Sequence, residues 1–178
     1  MNPIDFDRLR FLVIDDSPHM RTVVRALLRG FGAREIFEAD DGATGVEALT
    51  HFMPDIVITD WVMPNLDGLE LTRVIRQSGV AADPYVPIIM LSAYTEQTRI
   101  DKAYDAGVTQ FLTKPISARA LYEAILTVVA DQNAFRHDRE LFRVQPAQER
   151  PSNQPTAAAY SQSWTDNRRP TEWLNVRT

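Results

Sequence analysis

"DIVITDWVMPNLDG", residues 55–68, decides how the chain is read. Ile56, Val57 and Ile58 make a short continuous apolar run, the pattern of a strand covered on both faces. The run ends in an acid, Asp60, and Pro64 and Gly68 then mark a turn. A carboxylate at the rim of an apolar sheet is costly unless something offsets its charge. What faces Asp60 is therefore the first question about function.

Four further runs recur on either side: "FLVID" at 11–15, "EIFEA" at 35–39, "VPIIMLS" at 86–92 and "QFLTK" at 110–114. Segments of helical period separate them. Met20, Val23, Val24, Leu27, Leu28 and Phe31 fall on one face of a helix, and Gly30 and Gly32 are its stop signals. "ATGVEALTHF", "GLELTRVIRQ", "TEQTRIDKAYDAG" and "SARALYEAILTVVADQ" supply four more helices, the last with Leu121, Ile125 and Val128 facing inward. Strand then helix, five times over, predicts an α/β fold: a (βα)5 doubly wound parallel sheet with right-handed crossovers. Such a sheet binds its ligand at the carboxyl ends of the strands, where the strand order reverses.

In the order 2-1-3-4-5, the ends of strands 1 and 3 are central neighbours. Strand 1 ends in Asp15 and Asp16, strand 3 in Asp60, strand 4 in Ser92, and strand 5 in Lys114 and Pro115. Each has a bland reading: Asp15 or Asp16 as the cap of a helix starting at Pro18, Ser92 as a turn former, Lys114 as a surface cation. Their convergence at one end of adjacent strands argues for chemistry instead. Two carboxylates ~5 Å apart repel by about 3 kcal/mol at an effective dielectric of 20. Three of them with one lysine call for more positive charge, and a hard divalent cation suits all-oxygen ligands. A carboxylate in that setting can attack phosphorus and become an aspartyl phosphate. The lysine would meet the phosphoryl charge and the serine hydroxyl would bond one of its oxygens.

Composition bounds the rest. The chain has 178 residues, 44% of them apolar, a formal net charge of -5 and no cysteine. Disulfides and thiolate metal sites are excluded, and the charge gives no footprint for nucleic acid. An acidic N-terminus and the lack of a ~20-residue apolar run lead us to expect a cytoplasmic protein without a membrane span. Residues 1–134 carry 12 basic against 19 acidic side chains, and residues 135–178 carry 7 against 5. We therefore expect one domain over 1–133 and a flexible tail over 134–178. "RRPTEWL" in that tail, with Tyr160, Trp164 and Trp173, reads as a docking segment or as an inert extension.

"LVIDDSPHMR", "DIVITDWVMPNLDG", "PIIMLSAY" and "FLTKPIS" stand in order and at a spacing that resembles the receiver domain of bacterial two-component response regulators, especially the stand-alone chemotaxis type. The resemblance covers about residues 9–132 and implies a flavodoxin-like fold. It implies Asp60 as phosphoacceptor and Lys114 and Ser92 as phosphoryl-binding groups. Asp15, Asp16, Asp60 and the backbone carbonyl of Val62 would hold magnesium, with manganese an alternative. Ser92 and Phe111 would be the switch pair, Phe111 having no hydroxyl where many chemotaxis members have tyrosine; a plain core aromatic is the other reading. The Lys114–Pro115 bond would be cis. Val62 and Tyr94 stand where receivers govern acyl-phosphate lifetime. Neither can orient a water through a carboxylate or amide, so a long-lived phosphorylated form is expected.

The expected partners are a sensor histidine kinase or histidine phosphotransfer protein, and a protein target on the face of helix 4, strand 5 and helix 5. The chain would be a phosphoacceptor assisting its own phosphorylation and dephosphorylation rather than an enzyme. Rival readings are a relay carrier and a phosphate-independent binding module. A haloacid-dehalogenase-type phosphatase needs a second acid where Val62 stands. "GFGARE" is a poor phosphate loop, and His19, His51 and His137 are scattered.

Overall fold

The central strands are built from residues that gain most by losing water on both faces. The computed structural model describes residues 4–77 and 83–143, with side chains described as far as residue 130. Five strands, β1 (Arg10–Ile14), β2 (Glu35–Ala39), β3 (Ile56–Asp60), β4 (Ile88–Ser92) and β5 (Gln110–Thr113), form one parallel sheet in the order β2-β1-β3-β4-β5. Every residue of β3 and β4 is buried, and only Arg10 of β1 is partly exposed. The edge strands β2 and β5 are only partly covered, which explains why "EIFEA" tolerates two glutamates.

Strand parity assigns each side chain to one of two layers. Phe11, Val13, Ile56, Ile58, Ile89 and Leu91 face helices α1 (Pro18–Gly30) and α5 (Ala118–Arg143), meeting Val24, Leu28, Leu121, Ile125 and Val128. Leu12, Ile14, Val57 and Ile88 face α2 (Gly42–Phe52) and α3 (Gly68–Arg76), meeting Leu49, Leu71 and Ile75. Fully burying each such side chain contributes about 1.5–3 kcal/mol. A smaller cluster of Trp61, Met90, Ala103 and Val108 seats α4 (Gln97–Ala106). Of the residues of α4, Ala103 alone is buried.

Helix starts follow local hydrogen bonding. Asp41 and Thr44 make a capping box at α2, and Asp67 and Glu70 make one at α3. At α1 the cap is Ser17, whose Oγ accepts the Met20 N–H at 3.4 Å. This corrects the alternative that Asp15 or Asp16 caps that helix; Pro18 at the first helical position fixes Ser17 as the cap. The N-terminus of α4 has no side-chain cap.

Half-buried Arg76, at the end of α3, bonds only backbone oxygens among the described residues. Its guanidinium donates to Gly107 O at 3.0 and 2.8 Å, and to Pro84 O and Val86 O at 2.9 Å each. It ties the approach to β4 to the turn after α4. Burial lowers its pKa, nearby Asp83 opposing this.

The chain divides into two units, Met1–Arg139 and Glu140–Thr178, and the sheet and its site belong to the first. The expected tail, with Tyr160, Trp164 and Trp173, lies from residue 144 onward outside the described residues. Among the described residues no helix is long and apolar enough to cross a membrane.

Gly68 links fold to site. It opens α3 against the end of β3, its N–H donating to Trp61 O at 2.8 Å. A Cβ there would collide with the Asp60 carbonyl oxygen. Gly68→Ala is therefore expected to lower stability by about 1–3 kcal/mol, as overpacking does, read by urea denaturation. An unchanged midpoint would show that the helix start yields.

Candidate phosphoacceptor site

Parallel strands deliver the ends of β1, β3, β4 and β5 to one rim of the sheet. Asp60 closes β3 opposite Leu91, and Ser92 closes β4 opposite Thr113. Beyond these ends the chain turns, and the acids and the lysine gather there. Asp15 is 1% exposed and Asp60 8% exposed, while Asp16 is exposed. Carboxylate oxygens of Asp15, Asp16 and Asp60 all lie within 4.8 Å of one another.

Each group is held by the backbone around it. Asp60 Oδ1 accepts the Trp61 N–H at 2.8 Å and the Lys114 ammonium at 2.8 Å. Asp15 Oδ1 accepts the Ser17 N–H at 2.8 Å, and its Oδ2 meets Lys114 Nζ at 3.2 Å. Arg21 steadies the Asp15 backbone by donating to its carbonyl at 2.6 Å. Lys114 is placed by its own N–H, which donates to Ser92 O at 2.7 Å, and the peptide to Pro115 is cis. Ser92 is buried, and its Oγ accepts the Tyr94 N–H at 3.0 Å.

Among the described residues no cation pairs with Asp16. Three carboxylates thus face one ammonium, leaving two negative charges unmatched. A small all-oxygen donor set with that residual charge fits a hard divalent cation, and magnesium in particular accepts few carboxylates plus water. Val62 follows in the loop after β3 with its side chain exposed.

Phe111 is half-buried on β5, its ring edge-on to Trp61 with centroids 6.1 Å apart. Tyr94 meets the same Trp61 ring edge-on at 6.1 Å. Arg99 of α4 stacks its guanidinium over Tyr94, 3.7 Å from the ring centroid. Sequence reasoning missed Trp61, Arg99, Arg21 and Ser17. The first follows Asp60 directly and offered a signal as a large aromatic beside a strand-end acid. Ser17 offered one too, as a good cap residue directly before Pro18, whereas Arg99 and Arg21 act through contacts that only the fold creates.

The electrostatics are those of crowded like charges. Burial, with the negative charge of Asp15 adding to it, pushes the pKa of Asp60 above its ordinary 3.8; Lys114 and the Trp61 N–H oppose the rise without cancelling it. Burial opposes the charge on Lys114, but its hydrogen bond to Asp60 and the attraction of Asp60 and Asp15 outweigh it and raise its pKa. A carboxyl whose folded pKa is raised takes up protons more readily folded than unfolded, so stability falls as pH rises through that window. Asp60→Asn removes the cost of the charge. Its urea midpoint is expected to exceed that of the parent at pH 7, the gain shrinking as pH falls toward the ordinary carboxylate value of 3.8. A loss of stability at pH 7 would show that the Lys114 contact dominates.

A family model described as the response regulator receiver domain matches residues 11–126. The chain is 34% identical over 117 residues to the chemotaxis protein CheY of Pseudomonas aeruginosa, spanning 66% of this chain and 93% of that one. It is 35% identical over 117 residues to CheY-3 of Vibrio cholerae serotype O1, spanning 66% of this chain and 88% of that one. Among solved structures, Vibrio cholerae CheY4 aligns with a TM-score of 0.62 at 27% identity, over 67% of this chain and 98% of that chain. A receiver domain protein from Clostridium thermocellum aligns with a TM-score of 0.64 at 27% identity, over 71% of this chain and 98% of that chain. Sheet order, the acids gathered at its rim and these likenesses agree: the chain belongs to the response regulator receiver domain family.

Proposed function

We propose that the chain takes a phosphoryl group onto Asp60 from a histidine kinase or histidine phosphotransfer protein, and passes the change to a protein target as part of a two-component phosphorelay. The observation that carries this reading is the Lys114 ammonium bridging Asp60 at 2.8 Å and Asp15 at 3.2 Å, with Asp16 beside them. A structural ion pair would need one acid, not three.

In the proposed step, a carboxylate oxygen of Asp60 attacks phosphorus and the nitrogen–phosphorus bond of the donor phosphohistidine breaks. The electron pair returns to the imidazole nitrogen. Trp61 N–H and Lys114 engage Oδ1, which leaves the other oxygen to act as nucleophile. Lys114 then meets the phosphoryl oxygens, and the Ser92 hydroxyl turns to donate to one of them. Asp15, Asp16, Asp60 and the Val62 carbonyl would hold magnesium or manganese, which supplies positive charge against the repulsion between carboxylate and incoming phosphate. Hydrolysis of the acyl phosphate restores the carboxylate and releases inorganic phosphate, so the chain assists its own reset.

The output surface of this reading is the face of α4, β5 and α5. Phosphorylation shifts an existing balance of conformations there. A relay role, returning the phosphoryl group to a histidine phosphotransfer protein, uses the same pocket.

Incubation with magnesium and acetyl phosphate is expected to add one phosphoryl group at Asp60, located by mass spectrometry, and Asp60→Asn to abolish it. An unmodified wild-type chain would support a phosphate-independent binding module instead. Val62 is 56% exposed, so a change there disturbs no packing. Val62→Asn supplies an amide that can orient water, and is expected to speed acyl-phosphate decay several-fold over the slow parent. Unchanged decay would show that Val62 does not set the lifetime.

A further inference from the structure

We infer that Arg99 is a positioning residue that clamps Tyr94, and through it the Ser92 hydroxyl, in the resting arrangement of the pocket. The inference rests on the proposed phosphoacceptor role and adds a restraint to it.

Five contacts link Asp60, Ser92 and α4. The Asp60 carboxylate accepts the Trp61 N–H at 2.8 Å. The Trp61 ring, 6% exposed, meets the Tyr94 ring edge-on at an interplanar angle of 79°. Arg99 lies 3.7 Å from the Tyr94 centroid and 6.0 Å from that of Trp61. The Tyr94 N–H, in turn, donates to Ser92 Oγ at 3.0 Å. Tyr94 is therefore held at both ends, by its ring between Trp61 and Arg99 and by its amide on Ser92.

That bond uses an acceptor lone pair of the hydroxyl and leaves its O–H free, but it fixes the direction in which Oγ points. For Ser92 to turn, its Oγ must leave the Tyr94 N–H, and avoiding the cost of an unpaired amide favours a shift of the backbone that carries the ring. The stack on Arg99 resists this shift, because a guanidinium over an aromatic face is attracted by the ring quadrupole. The competing acid, Glu96, is 3.8 Å from Arg99 with both side chains well exposed, too loose and too wet to outweigh the stack. Arg99 is also the point where this chain of contacts enters α4, which has no N-terminal side-chain cap. The clamp thus biases both the hydroxyl and the head of α4 toward rest.

A restraint that favours the resting state lowers apparent affinity for any ligand needing the other state. In the full chain with magnesium, Arg99→Ala is expected to bind beryllofluoride roughly 2–5-fold more tightly, the range a partly exposed cation–π contact can carry. Bound beryllofluoride is read by fluorine NMR. In the chain alone, hydrogen exchange of the Tyr94 amide is expected to quicken in Arg99→Ala. Tyr94→Ala is expected to reproduce the gain in affinity, and adding Arg99→Ala to it to bring nothing further. If wild type binds beryllofluoride and Arg99→Ala binds equally or more weakly, or if the two gains add in full, the clamp is wrong while the phosphoacceptor reading stands. A wild-type chain that fails to bind beryllofluoride overturns both.

Discussion

One ammonium facing two buried carboxylates is the interaction on which the site depends. Lys114 stands between Asp60 and Asp15, and neither acid is exposed enough for water to screen it. Its position is set by the backbone, through its N–H on the Ser92 carbonyl, so it cannot follow one acid without leaving the other. Asp60 bears the strain of this crowding: its burial and the charge of Asp15 raise its pKa, with Lys114 opposing the rise. Asp16 adds to the crowding. The fold thereby stores an appetite for positive charge and for phosphoryl oxygens that Lys114 can share.

Packing maintains this arrangement. Parallel strands bring their carboxyl ends together without any contact between the side chains that will meet there. The two-sided burial of β3 and β4 leaves no slack for the rim residues to move apart. Gly68 matters for the same reason, since the start of α3 lies directly against the backbone of Asp60. Stability and function therefore compete at one place: the residues that anchor the sheet also hold the charges that strain it.

The sequence was informative where a pattern is local. Apolar runs of strand length gave all five strands, while their central or edge placement came from the flavodoxin-like order; burial on both faces leaves no room for polar alternation in β3 and β4, and β2 keeps its glutamates. Strand-end acids, Ser92 and Lys114 were legible through the rule that such sheets bind ligands at one rim. The cap of α1 was not, since Asp15, Asp16 and Ser17 are all good caps and only the geometry before Pro18 separates them. Arg21, Arg99 and Arg76 were invisible for another reason. An arginine on a helix reads as a solvated face, and only tertiary structure shows that one meets a backbone carbonyl, another an aromatic ring and the third four hydrogen-bonding contacts on main-chain oxygens. Phe111 falls between its two readings: half-buried, and packed on Trp61.

Arg76 has a mechanical consequence. Its bonds to Gly107 O fasten the trailing end of α4, where the buried Ala103 also lies, to α3 and to the strand behind it, while the leading end has no side-chain cap and rests on the stack of Arg99 over Tyr94. A rod fixed at one end and lightly tethered at the other responds to a push near its free tip by swinging about the fixed end. The guanidinium of Arg76 is thus the fulcrum, and small displacements beside Asp60 would be delivered to the surface as a tilt of α4 rather than as its melting or sliding.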